Sequence, residues 1–122
     1  MSDLTEPQLR TLVEAFYATI RQDAALGPIF NDIIEDWPEH LDKLTAFWSG
    51  VMLGSGRYSG NPMAKHVAIR ARLSPALFSR WLSLWGETAA RLLPPEPAAA
   101  IKATAQRIAH NLQRGCGLLE NI

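Results

Sequence analysis

Cysteine is nearly missing from this chain of 122 residues, which has one, Cys116. A single thiol excludes an intrachain disulfide framework and a zinc site made from several cysteines. Cys116 sits between Gly115 and Gly117 with no histidine close by in sequence, so a nucleophilic thiol is not expected there. A charge surplus is missing too. Lys and Arg number 12, Asp and Glu number 12, and the formal net charge is zero. With no basic excess to release counterions, phosphate-driven nucleic-acid binding is disfavoured. Long apolar runs are also lacking. The longest uncharged stretch in mid-chain, Leu44 to Gly56, falls well short of the roughly 20 apolar residues a bilayer requires, so no membrane insertion is expected. The start, Met1 to Pro7, has no basic region followed by an apolar one and does not read as a signal peptide. A cytoplasmic location is the expectation, where a free thiol is stable. Gly-x-Ser-x-Gly, Walker and dinucleotide fingerprints are absent, and Gly54-Ser55-Gly56 reads as a connector.

What is present is apolar material. Hydrophobic residues make up 48% of the chain, including four tryptophans, four phenylalanines and two tyrosines. That is enough to offset the entropy of ordering, so one compact soluble domain over residues 1–122 is expected. No repeat, low-complexity tract or strand-like alternation is visible. Helical periodicity is visible almost throughout. Thr5, Pro7 and Gln8 form a helix start, followed by a stripe of Leu9, Leu12, Val13, Phe16, Tyr17 and Ile20 that ends near Asp23. Residues 28–36 read as a short helical corner. A second long helix runs from Trp37-Pro38 to about Gly54, with Leu41, Leu44, Phe47, Trp48, Val51 and Met52 on one face. Residues 54–60 are loop, and Asn61-Pro62 opens a short helix. Ser74-Pro75 starts a third long helix, with Leu77, Phe78, Trp81, Leu82, Trp85, Ala89 and Leu92. Pro94-Pro95-Glu96-Pro97 separates it from the last helix, which stops near Gly115.

A few polar groups intrude on these stripes. Tyr17 lies on the buried face of the first helix and Trp81 on that of the third. His40 lies one turn before Leu44. Of the three histidines, His110 faces away from Ile108 and Leu112 and is set aside. His66 shares a face with Met63, with Val67 beside it. Its ordinary reading is a core-edge histidine bonded to a carbonyl, and His40 could be an exposed helix residue. Neither has a partner histidine at metal-ligand spacing, and no Glu-x-x-His pair supports a di-iron site. One histidine on a short helix within an aromatic-rich helical chain fits non-covalent haem, whose iron accepts a single axial imidazole. Covalent c-type attachment is excluded, because Cys-x-x-Cys-His does not occur. Tyr17 and Trp81 each combine an apolar body with one hydrogen-bonding group, as the other side of such a pocket needs.

In order along the chain come Phe16-Tyr17, then Asp23 with Leu26-Gly27-Pro28-Ile29-Phe30, then Trp37 with His40, then Phe47-Trp48. Tyr58-x-Gly60-x-Pro62-x-x-x-His66 and Trp81-Leu82 complete the series. In their order and spacing these resemble the group III truncated haemoglobins over nearly the whole length. The chain also lacks the Gly-Gly pairs that mark the other two groups. The resemblance implies an all-α truncated globin fold, a two-over-two helical sandwich around haem b. It implies His66 as proximal ligand, Tyr17 and Trp81 as distal residues, and His40 as a distal residue able to act as a gate. It puts Phe30 where globins stack a phenylalanine on the porphyrin, and Leu44 against the distal face. Met63, Val67, Phe47, Trp48, Val51 and Phe78 become wall residues, with Phe47, Trp48 and Trp85 also suited to the general core. Lys43, Arg57, Tyr58, Arg70 and Arg72 are candidates for the haem propionates, and Lys43 and Tyr58 are preferred. The implied ligands are oxygen, nitric oxide and carbon monoxide. The implied function is reversible oxygen binding, with nitric oxide dioxygenation or peroxidase-like turnover requiring a separate reductase. The competing reading is a cofactor-free helical interaction domain, which leaves Tyr17, Trp81 and His66 without a shared purpose.

Overall fold

The structure is a computed structural model that describes residues 4–119. It has six helices: α1 (Glu6–Ile20), α2 (Gly27–Ile33), α3 (Trp37–Leu53), α4 (Pro62–Ala68), α5 (Pro75–Leu92) and α6 (Pro95–Gly115). A single 3₁₀ turn, Arg70–Arg72, lies just beyond α4. No strand occurs among the described residues.

Local chemistry explains where the helices begin. Thr5 forms a reciprocal capping box with Gln8, its backbone N–H donating to Gln8 Oε1 at 2.9 Å and its hydroxyl accepting from Gln8 N at 3.3 Å. Asp36, Asn61 and Ser74 cap α3, α4 and α5 without the return bond, each side chain accepting from the backbone N–H three residues on. Proline sits after each cap in the first turn, where no N–H is needed. The chain leaves α3 through Gly54, whose φ of 71° is left-handed.

Three boundaries differ from expectation, the first being that of α2, which ends at Ile33 rather than Asp36 because Asp36 caps α3. α1 ends at Ile20 rather than near Asp23. The Asp23 carboxylate instead holds the next turn, accepting from Ala25 N, Leu26 N and the Arg80 guanidinium. The proline-rich stretch 94–97 is not a separator but the start of α6, which begins at Pro95. Pro95 and Pro97 both fall in the first turn, where the missing N–H groups would have had no partner.

α1 packs on α3 and on α5, and α5 packs on α6. The short connection Leu93-Pro94 folds α6 back along α5. These four helices make two layers of two. Their shared core is centred on Leu9, Leu12, Val13, Phe16 and Ile20 of α1, with Trp85 and Ile101, all fully buried. Phe16 meets Tyr17, Trp81 and Trp85 edge-on, with ring centroids 4.8, 4.9 and 4.8 Å away. Trp85 lies between two further indoles, stacked on Trp48 at 4.7 Å and on Trp81 at 5.2 Å. Its indole N–H is buried without a partner, a cost of roughly 1–3 kcal/mol that this stack offsets. α2 and α4 are short and flank the space that the four long helices leave open.

Candidate functional site

That space is a cavity of about 280 Å³. Every helix contributes to its wall, which is almost wholly apolar. The few polar groups on the wall are therefore the informative ones.

Tyr17 reaches it from α1. The residue is 3% exposed, and its ring lies edge-on to Phe30 at 5.7 Å and to His40 at 6.4 Å. Burial pushes the phenol's pKa well above its ordinary value. The Trp81 indole, beside the phenol oxygen, pulls the other way by offering its N–H to the charged form. Desolvation is the larger effect, so Tyr17 keeps its proton and remains a donor.

His40 reaches the cavity from α3. It is half-buried and stands edge-on to Trp37 at 5.9 Å. Its pKa is lowered, first by burial and then by the Lys65 and Lys43 ammonium groups. His40 is therefore neutral at pH 7.

His66 comes from α4. Its Nδ1 is 2.7 Å from the Pro62 carbonyl oxygen, one turn earlier. A carbonyl only accepts, so Nδ1 carries the hydrogen, and in the neutral ring the lone pair is on Nε2. Phe78 lies beside the imidazole, ring centroids 6.3 Å apart. Pro62, Lys65 and His66 form the cavity face of α4, with Ile69 just past its end.

The structure thus brings Tyr17, Trp81, His40 and His66 to one cavity, together with Phe30, Lys43, Leu44, Phe47, Tyr58 and Phe78. Trp48 is part of the wall as well as of the indole stack. Met63 and Val67 lie off the wall. His66 shares the cavity face with residues 62, 65 and 69, whereas Met63 lies against α6. A side chain at Gly115 would collide with the Met63 sulfur. Val51 is also outside, 41% exposed. Arg57 and Arg72 are committed elsewhere, to Glu6 and Asp32, and Arg70 is exposed and off the wall.

Several wall residues escaped the sequence reading. Lys65 is one, although it falls one turn after Pro62. Ile29 and Ile33 of α2 are two more. Ala105, Ile108, Ala109 and Leu112, a helical stripe that continues the core face of α6 past Ile101, line it as well.

These residues suit a haem. Among the described residues, no three His, Cys, Asp or Glu side chains are grouped to hold a metal. A single imidazole with a free Nε2 suits iron whose other positions a macrocycle fills. Apolar walls suit a porphyrin face, and the Lys43 and Lys65 ammonium groups suit its carboxylates. No helix among the described residues is long and apolar enough to cross a membrane.

The architecture and the cavity together define a globin with a shortened helical sandwich. The family model for bacterial-like globins matches residues 5–113, and the chain belongs to that family, within its group III truncated haemoglobins. It is 36% identical over 114 residues to the group 3 truncated haemoglobin of Campylobacter jejuni, covering 90% of this chain and 89% of that one. The crystal structure of the group III truncated haemoglobin from Campylobacter jejuni superimposes with a TM-score of 0.85. That match covers 98% of this chain and 95% of the other, at 35% identity. The chain is a haem-binding globin, and this sets aside the cofactor-free interaction domain.

Proposed function

We propose that the cavity binds haem b, with His66 Nε2 as the proximal ligand and Tyr17, Trp81 and His40 around the gas-binding position. When bound, haem b supplies a ferrous iron that takes up oxygen, nitric oxide or carbon monoxide. The observation that carries the reading is the 2.7 Å contact of His66 Nδ1 with the Pro62 carbonyl. It fixes the tautomer that presents a lone pair, in a cavity that also contains Tyr17, Trp81 and His40.

The Tyr17 phenol keeps its proton and would donate a hydrogen bond to a diatomic ligand held in the cavity. The Trp81 indole orients that phenol by donating its one N–H to the phenol oxygen. Neutral His40 stands between Tyr17 and the lysines, where a change of side-chain rotamer opens or closes access. Lys43 and Lys65 meet the propionates, with Tyr58 beside them. The same donors suit nitric oxide dioxygenation or peroxide turnover. Each would draw electrons from a separate reductase, and we place the protein with such a partner in the cytoplasm.

Haemin uptake tests the reading. The expected result is a Soret band that shifts when carbon monoxide meets the reduced protein and is lost in His66→Ala. A purified chain that takes up no haemin contradicts it. Single-turnover nitric oxide consumption, set against peroxide consumption, then separates the two reactions.

A further inference from the structure

We propose that Glu6, at the start of α1, is a positioning residue that holds the loop of residues 54–61 and thereby seats Tyr58 and α4 at the cavity. This rests on the haem reading above.

Four side chains fasten the loop. Arg57 Nη2 donates to Glu6 Oε2 at 2.6 Å. Ser49, fully buried on α3, donates its hydroxyl to Glu6 Oε1. Ser49 Oγ is also 2.8 Å from Ser55 Oγ. A hydroxyl has one proton, so Ser49 gives its own to the carboxylate and accepts that of Ser55. One carboxylate therefore joins the first turn of α1, the last turns of α3 and two points of the loop. Ser49 makes this more than a surface ion pair. Removing the carboxylate takes away the acceptor of the buried Ser49 hydroxyl and leaves it only Ser55, whereas an exposed pair alone contributes little.

The fastened loop leads directly into the cavity wall. Tyr58 packs edge-on against Phe47 at 5.3 Å and lines the cavity. Gly60 closes the other side of that ring, where an added Cβ would come within 2.1 Å of the phenol oxygen. Asn61 then caps α4, accepting from Ala64 N at 3.0 Å. Among the helices, α4 packs mainly on α6. The placement of His66 thus depends on where the loop delivers Asn61. Arg57, a propionate candidate by sequence position, acts through this loop instead.

The test is haemin loss from the loaded protein to an excess of a haem-scavenging apoprotein, monitored at the Soret band. Glu6→Ala and Arg57→Ala are each expected to speed haemin loss about three- to fivefold. The double variant should lose it no faster than Glu6→Ala alone. Amide exchange over residues 57–66 should rise with it. Thr5→Ala removes the cap of the same helix turn without touching the fastening, so its haemin loss and its exchange over 57–66 should match wild type. Unchanged loss in Arg57→Ala, an exposed position where folding is not at risk, overturns the inference alone. Equal acceleration by Thr5→Ala overturns it too, by making α1 stability the cause. A wild-type chain that takes up no haemin overturns both this and the haem reading.

Discussion

The His66 imidazole is bonded to the backbone of its own helix, with Nδ1 2.7 Å from the Pro62 carbonyl oxygen. Because the acceptor is main chain, no side-chain substitution outside His66 deletes it. The bond selects the tautomer and turns the ring toward the cavity face of α4.

Tyr17→Phe removes one hydroxyl and keeps the ring packed against Phe30. If that hydroxyl donates to a charged diatomic ligand, its bond contributes about 1.5–3 kcal/mol. Oxygen release should then accelerate by roughly tenfold or more. Stopped-flow or flash-photolysis rates check this, and an unchanged oxygen off-rate removes Tyr17 from the ligand's surroundings.

Phe16 is fully buried and meets three aromatic rings. Phe16→Ala should destabilise the fold by about 3–5 kcal/mol. Urea unfolding should show a lower midpoint with the slope retained. A loss near zero would mean that the aromatic core closes over the cavity it leaves.

His40 gives a pH prediction. Its pKa in the folded chain is lowered by burial, Lys65 and Lys43. The folded state thus binds fewer protons there than the unfolded state does. The stability this contributes is complete above the unfolded value of about 6.5 and is lost as pH falls toward the lowered value. Urea midpoints measured from pH 7.5 downward should fall less steeply for His40→Gln than for wild type. Parallel curves would show that His40 is not the titrating group.

The two rim lysines should differ. Lys43 is shared with Glu39 at 3.1 Å, whereas no ion pair of Lys65 occurs among the described residues. Lys65→Ala should therefore speed haemin loss more than Lys43→Ala, by about two- to fivefold over wild type, and added salt should shrink the difference. Equal and small effects would assign the propionates to other groups.

Much of the fold and of the cavity was legible in the sequence, for identifiable reasons. Cap residues with proline in the next positions mark helix starts locally, so α1, α3, α4 and α5 begin where expected. Tyr17 and Trp81 were detectable because a polar atom on an apolar stripe must meet something. The α6 wall was not, because Ala105, Ile108, Ala109 and Leu112 have the same periodicity whether they face a helix or a cavity. The Glu6 fastening was invisible because Ser49 and Arg57 lie 43 and 51 residues away. Only folding makes them neighbours. Met63 was placed on the wall because it is three residues from His66, and that spacing alone does not decide which neighbouring surface a flexible side chain meets.

The most direct measurement is the iron–imidazole stretching band of the reduced, ligand-free holoprotein by resonance Raman spectroscopy. With His66 as the proximal ligand, wild type shows the band, His66→Gly lacks it, and added free imidazole restores it in that variant. A band that persists unchanged in His66→Gly would mean that another residue holds the iron, and would contradict the assignment of His66.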